Sequence, residues 1–462
     1  MAMGKRERQR QQRLWVESER LAKGPSHPFY SRLNQILNQR GFDDFAEAAS
    51  RPFYAERMGR PSLPPGVYFR LLLIGYFEGI DSERGIAWRV ADSIGLRDFL
   101  GLTLTDATPD HSTISRTRRL IDLTTHQEVF TWVLGVLAKE KLVRGETLGI
   151  DATTLEANAA LRSIVRRDSG ESYEEFLTRL AKASGIATPT REDLARLDRD
   201  RPGKGSNQDW EHPHDPDARI TKMKDGRTHL AHKAEHAVDM ETGAIVAVTV
   251  QPADRGDTAS IGETVQEAMD VLADVLEDEE AAEQLDGEVL SEIVGDKGYH
   301  SNAVLTGYEA LGIRSYISEP KRGRRRWRGK TAAQHATYAN RRRVRGERGK
   351  RLLRRRGEML ERGFAHVYDT GGMRRAHLRG RRNIAKRVLI HAAGCNLGLV
   401  MRKHLGCGTP RGLQGAAGRV LGALGAVVPS LHAFRRLLLA LRPLSLLQRV
   451  FAWPHSPDLA AA

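Results

Sequence analysis

Three acidic residues stand where a carboxylate is placed to do chemistry. Asp151 interrupts the apolar run Thr147-Leu-Gly-Ile-Asp-Ala-Thr-Thr154, Asp296 closes the run Val289-Leu-Ser-Glu-Ile-Val-Gly-Asp296, and Glu361 follows a dense run of arginines. Three carboxylates gathered in one place can hold two hard divalent cations about 4 Å apart and still leave positions for phosphate oxygens, the arrangement that serves phosphoryl transfer. Spacings of 145 and 65 residues mean that only a tertiary fold can unite them. An isolated Asp at a strand end is usually a turn residue, so the argument rests on the constellation. The helix carrying the third acid also carries Glu358. At about 100° per residue, Leu353, Leu360, Phe364 and Val367 form one stripe, which Glu361 borders while Glu358 points away, toward pairing with Arg354 or Arg355. His232 and His236 have the i, i+4 spacing of a zinc site, but only on a helix, and their segment has the pattern of a strand.

The elements that must position these acids form a mixed α/β pattern preceded by helices. From Ser26 to Leu120, short apolar-periodic segments alternate with Gly and Pro punctuation; Ser82 to Ile94 has the pattern of one amphipathic helix with Ile86, Val90 and Ile94 on a stripe. A second helix starts at Pro109-Asp-His-Ser-Thr-Ile-Ser-Arg116, capped by Asp110 or Ser112, and the pair is compatible with a helix-turn-helix DNA reader. The strand around Asp151 is followed by a polar insertion over about 156–226. A hairpin comes next, from Thr228 to Val238 and Ala244 to Val250, its second strand apolar on both faces as in a central strand. Asp257 is a candidate cap for a helix reaching about Leu285, Asp296 sits at a strand's carboxyl end, and helices follow over Arg348 to Val367 and Ile384 to His404. The expected organisation is a basic arm (1–25), a helical DNA-binding domain (26–140), a catalytic domain (141–404) and a tail (405–462).

With 73 Lys and Arg against 58 Asp and Glu, the net charge is +15, which points to a polyanionic partner whose counterions are released on binding. Basic runs at Lys321 to Lys330, interrupted by Trp327, and at Arg341 to Arg356 concentrate this charge. Two cysteines, Cys395 and Cys407, cannot build a disulfide framework. The first twenty residues lack the apolar segment of an export signal, and the tract from Val420 to Phe434 is too short and interrupted for a membrane span, so a cytoplasmic, nucleoid-associated protein without membrane contact is expected.

These motifs, in this order, resemble the DDE transposases of bacterial insertion sequences: Pro109 to Arg116, Gly149-Ile-Asp-Ala-Thr153, Asp215-Pro-Asp-Ala218 leading to His232, Lys233 and Asp239, Asp296-Lys-Gly-Tyr299, and Glu361-Arg-Gly-Phe-Ala-His366. The resemblance implies a ribonuclease-H-like mixed sheet flanked by helices, with Asp151, Asp296 and Glu361 as catalytic and metal-ligating acids. A signature of Tyr, Arg, Glu and Lys around the last acid in many relatives is incomplete here: Gly357 stands four residues before Glu361 and Tyr368 seven after. The implied activity is cleavage and strand transfer of double-stranded DNA with Mg²⁺, or Mn²⁺, by a homodimer at the element's terminal repeats. Ser112, Ser115 and Arg116 would read DNA, and Lys297, Arg322, Arg324, Arg325, Arg326 and Arg328 would hold phosphates. A plain nuclease of the same fold, or a non-catalytic DNA-binding derivative, are the competing expectations; all three acids are present.

Overall fold

A computed structural model describes residues 27–413 except 56–61, 202–204, 224, 286–288, 322 and 324. The basic arm, Arg322, Arg324, the Val420 to Phe434 tract and the tail beyond 413 therefore lie outside the described residues. The N-terminal part is helical: α1 (Pro28–Gln39), α2 (Phe42–Ser50), α3 (Pro65–Glu78), α4 (Glu83–Ala91), α5 (Ile94–Phe99), α6 (His111–Leu120) and α7 (Leu123–Lys139). Gly79 ends α3 in the left-handed region at φ 68°, which glycine adopts without steric cost. The single helix expected from Ser82 to Ile94 is two helices. Asp92 and Ser93 break it, because a short polar side chain competes with the helix for backbone hydrogen bonds; Ser93 then caps α5, and Ile94 is exposed while Ile86 and Val90 are buried. At α6 it is Asp110 that caps, its Oδ1 accepting from the Ser112 amide at 2.8 Å.

The first strand, β1 (Thr147–Glu156), leads into an inserted subdomain containing β2 (Val165–Arg166), α8 (Tyr173–Ala183), α9 (Arg191–Asp200), β3 (Trp210–Glu211) and β4 (Arg219–Lys222). Capping boxes at Ser172 and Glu175 and at Thr190 and Asp193 start its helices, and Ala157, Ile164, Trp210, Ala218 and Leu230 form its small core. The chain continues through β5 (Thr228–Asp239), β6 (Ile245–Pro252), α10 (Asp257–Leu276), α11 (Glu279–Ala282), β7 (Glu292–Gly295), α12 (Asn302–Ala310), β8 (Arg314–Ile317), α13 (Thr331–Arg345), α14 (Glu347–Phe364) and α15 (Arg381–Leu405).

The main sheet runs β4-β5-β1-β7-β8, with β6 also on β5. The β1–β5 and β5–β6 pairs are antiparallel, and β7 and β8 run parallel to β1. The order 6-5-1-7-8, an antiparallel meander followed by two parallel strands, is that of a ribonuclease-H-like fold. Two expectations are corrected. β6 is not central: it is an edge strand, buried on both faces because α10 packs on one and α15 on the other. Asp257 does not cap α10, which Gly256 precedes as the capping residue; it occupies the first helical position and pairs with Lys233. The Arg341 to Arg356 run is split by Gly346, so α13 is a separate helix ahead of α14.

α15 has the length and composition to cross a membrane but is a mostly buried core helix. α3 and α7 pack along it on one side and β6 on the other, so the N-terminal helices and the sheet share one interior. The middle of α15 is covered on every side, and even Lys386, Arg387, His391 and Asn396 on it are buried, Lys386 donating to the Arg118 and Ile121 carbonyls and Asn396 to that of Ile245. Contacts gather the described residues as far as Pro410 into one unit.

Candidate active site

β1 and β7 pair in parallel with Gly149 opposite Val294. Two residues further along, Asp151 and Asp296 stand level with one another where β7 ends. On the other side of β1, Asp151 is paired with His236 of β5. Asp151 is 28% exposed and forms an ion pair, Oδ2 to Arg356 Nη2, at 2.8 Å; Arg356 Nε donates to the Ile150 carbonyl at 3.1 Å. Asp296 turns the chain: its Oδ1 accepts from the Gly298 amide at 2.7 Å, starting a 3₁₀ turn over Lys297–Tyr299. Lys297 is exposed beside it.

α14 crosses the sheet diagonally. Its start is held by Arg348, which donates to buried Glu292 at 2.6 Å, and Leu360 packs over Gly149, where a Cβ would stand 2.9 Å from Leu360 Cδ1. Phe364 ends the crossing edge-on to the His236 ring. Met359 and Arg355 face the β5–β6 turn, the latter donating to the Glu241 carbonyl at 2.8 Å and not to Glu358. At 100° per residue the opposite flank of α14, toward the later residues of β1 and hence Asp151, carries Gly357 and Glu361. Lys350 and Arg354 are exposed on that same flank. Glu358 is turned further outward. Among the described residues, no three His, Cys, Asp or Glu side chains converge closely enough to hold one ion. Asp151 and Asp296 are thus brought level, and Glu361 stays exposed on the neighbouring helix flank.

The donor chemistry at this edge is nonetheless that of a hard cation. The available ligands are carboxylate oxygens, and a guanidinium already sits on Asp151. The nearest imidazole, His236, is fully buried and hydrogen-bonded to the Tyr368 hydroxyl at 2.6 Å; desolvation holds its pKa at about 3. His232 is likewise buried, 3.2 Å from Asp215. Both lie on a strand, as expected, which leaves them committed to the protein interior.

Behind the Asp296 turn lies a buried network that the sequence did not disclose. Glu235 accepts from Tyr299 at 3.0 Å, Ser260 at 2.7 Å and Thr264 at 2.5 Å, and Lys233 donates to Asp257 at 2.6 Å and Ser260 at 2.9 Å. Desolvation raises the Glu235 pKa against these hydrogen bonds and Lys233. Burial, followed by the charges of Glu235, Asp151 and Asp257, raises that of Tyr299 far more.

The candidate DNA contacts divide. Ser112 and Arg116 are exposed on α6, Ser115 is half-buried and accepts from Arg118, and Arg118 is tied to Glu83 at 2.7 Å. Arg326 and Arg328 are exposed, whereas Arg325 is engaged with Glu319 at 3.1 Å and Asn302 at 3.3 Å and lies over Trp327.

Residues 17–120 match the transposase domain family DUF772, and residues 207–397 match the transposase DDE domain family. The second match contains Asp296 and Glu361, and Asp151 precedes it. No curated protein and no solved structure matches the chain. The two domains, in that order along the chain and on this sheet, identify a DNA-acting polynucleotidyl transferase of a family that works with divalent metal ions: the chain belongs to the DDE transposases of insertion-sequence type.

Proposed function

We propose that this transposase cleaves DNA at the terminal repeats of its element and joins the freed 3′ end to target DNA, with Asp151, Asp296 and Glu361 as the acids that hold Mg²⁺, Mn²⁺ being able to substitute. The observation that carries this reading is the parallel register of β1 and β7, which brings Asp151 on β1 level with Asp296 in the turn directly after β7. Bound divalent cations would supply Lewis-acid activation of the attacking oxygen and stabilisation of the leaving one. The protein's own residues orient the reactants. Asp151 and Asp296 offer oxygen ligands from a rigid sheet, and Glu361 reaches from the flank of α14. Lys297 is placed to neutralise a phosphate beside Asp296, and Lys350 and Arg354 line the flank along which a strand would pass. Arg326 and Arg328 extend the basic surface, and Ser112, Ser115 and Arg116 at the start of α6 would read the repeat. Two copies acting on two element ends would make the functional unit a homodimer on DNA.

The test uses Asp151→Asn and Asp296→Asn, each of which keeps side-chain shape and removes a charge. Both should abolish Mg²⁺-dependent cleavage of a duplex carrying the element's end, with DNA affinity within about threefold of wild type, since phosphate contacts carry that affinity. Cleavage by either variant near the wild-type rate would refute the assignment. A pre-cut end bearing a 3′-OH separates strand transfer from plain nuclease action, because only a transposase joins it to a second duplex.

A further inference from the structure

The Asp296 turn is fastened from beneath by groups that touch no substrate. Glu235 lies on β5 opposite Ala152, the residue after Asp151, and is fully buried. Its Oε1 accepts the Tyr299 hydroxyl, and Tyr299 is itself buried at the end of the turn that Asp296 begins. Lys233, two residues earlier on the same face of β5, holds Asp257 through Oδ1. The other oxygen of Asp257 lies against Gly298, where a Cβ would collide with it and would come within 3.0 Å of Asp296 Oδ1. The turn is therefore tied at Tyr299 and backed at Gly298 by two residues of the strand that also pairs with Asp151. A buried carboxylate retained inside a sheet costs desolvation, and here three hydroxyl donors offset that cost in part.

We propose that Glu235 and Tyr299 are positioning residues that fix Asp296 relative to Asp151, so that the two carboxylates are preorganised for a divalent cation. The inference rests on the metal assignment given above. Groups that orient a ligand without touching the ion typically contribute tenfold to a hundredfold in metal affinity. A hydrogen bond anchoring only the fold would leave that affinity unchanged.

The experiment titrates the full-length wild-type protein and variants with Mn²⁺ by calorimetry in the absence of DNA. Tyr299→Phe keeps the ring and removes the hydroxyl. It should bind Mn²⁺ about 10-fold to 100-fold more weakly, with a melting temperature within about 3 °C of wild type. In cleavage assays its half-saturating Mg²⁺ concentration should rise by the same factor, while the rate at saturating Mg²⁺ changes less than about threefold. Glu235→Gln retains an amide oxygen able to accept from Tyr299 and should stay close to wild type, whereas Glu235→Leu should reproduce the Tyr299→Phe defect. Wild-type Mn²⁺ affinity in Tyr299→Phe overturns the proposal. So does unfolding of both Tyr299→Phe and Glu235→Gln, which would make the pair a structural necessity. Failure of the wild-type protein to bind Mn²⁺ would remove the metal assignment itself, a result distinct from either.

Discussion

At the scale of single residues, Glu361 and Glu358 provide an internal comparison, since both are exposed on α14 and differ in which way they face. Glu361 shares its flank with Gly357, opposite the Met359 and Arg355 side that meets the hairpin turn. Glu361→Gln is expected to eliminate Mg²⁺-dependent cleavage. Glu358→Gln should cost less than about fivefold, because an exposed carboxylate contributes at most about 1 kcal/mol. Propensity and folding effects largely cancel between the two, so a cleavage assay on the pair decides which acid serves the site; activity retained only in Glu361→Gln would reverse the choice. Asp151 stood out in the sequence because a charge inside an apolar strand has no cheap structural purpose, whereas Asp296, which follows β7 and starts a turn, was singled out only by the constellation. Arg356 was not legible. It is one of several arginines in a run, and only the crossing of α14 over Gly149 singles it out as the partner of Asp151. Glu235, and the buried role of Lys233, which the sequence offered only as a motif residue, were hidden for a related reason: alternating polar residues have the pattern of a solvated strand face, yet both sides of β5 are covered.

At the scale of elements, the position of α14 depends on a glycine. A Cβ at Gly149 would stand 2.5 Å from Met240 Sδ and 2.9 Å from Leu360 Cδ1, with Arg356 Cγ at 3.4 Å, so Gly149→Ala must displace the Met240 and Leu360 side chains and, through Leu360, press on α14. The expected cost is about 1–3 kcal/mol in urea unfolding, with a greater than tenfold loss of cleavage as Glu361 and Arg356 shift. An unchanged cleavage rate would mean that α14 tolerates displacement and does not set the site. The connector between β8 and α13 makes a different prediction. Arg326→Gln with Arg328→Gln should weaken binding to all duplexes alike and flatten the dependence of log affinity on log salt by roughly 0.9 for each phosphate that is no longer neutralised. An unchanged slope in an anisotropy titration would show these side chains to be solvated surface. The four-residue β8 and the short strands and amphipathic helices of the insertion carry too few apolar residues to show a period, whereas β1, β5, β6 and β7 and the helices α6, α10, α14 and α15 were readable because their apolar periods or caps are regular. The edge position of β6 was not, since an edge strand roofed by two helices has the same composition as a central one, and the break at Asp92-Ser93 was masked by the apolar Ile94 beyond it.

For the whole molecule, buried histidines set an acid limit. His126, hydrogen-bonded to Tyr68 and to the Asp122 carbonyl, and His236 are both held at pKa about 3, chiefly by desolvation. Above about pH 6.5 neither folded nor unfolded chain protonates these rings, and they add no pH dependence. Between there and pH 3 the unfolded chain takes up protons that the folded one cannot. Stability therefore falls with pH by up to about 1.4 kcal/mol per unit for each histidine, or roughly 3 kcal/mol for the two at pH 5.5. Urea midpoints at pH 7.5 and 5.5 should show this drop, and His126→Gln should make it shallower; identical wild-type midpoints would contradict it. The shared interior around α15 has a further consequence in time. The apolar surfaces of α3 and α7 are completed by a helix that begins at Arg381, about 300 residues after α3 ends. At a synthesis rate of about 5–20 residues per second, the nascent chain carries those surfaces uncovered for roughly 15–60 s. A chain broken off before Arg381 would therefore carry all three acids and the whole sheet, yet leave the face of α3 and α7 that α15 covers open to other apolar surfaces.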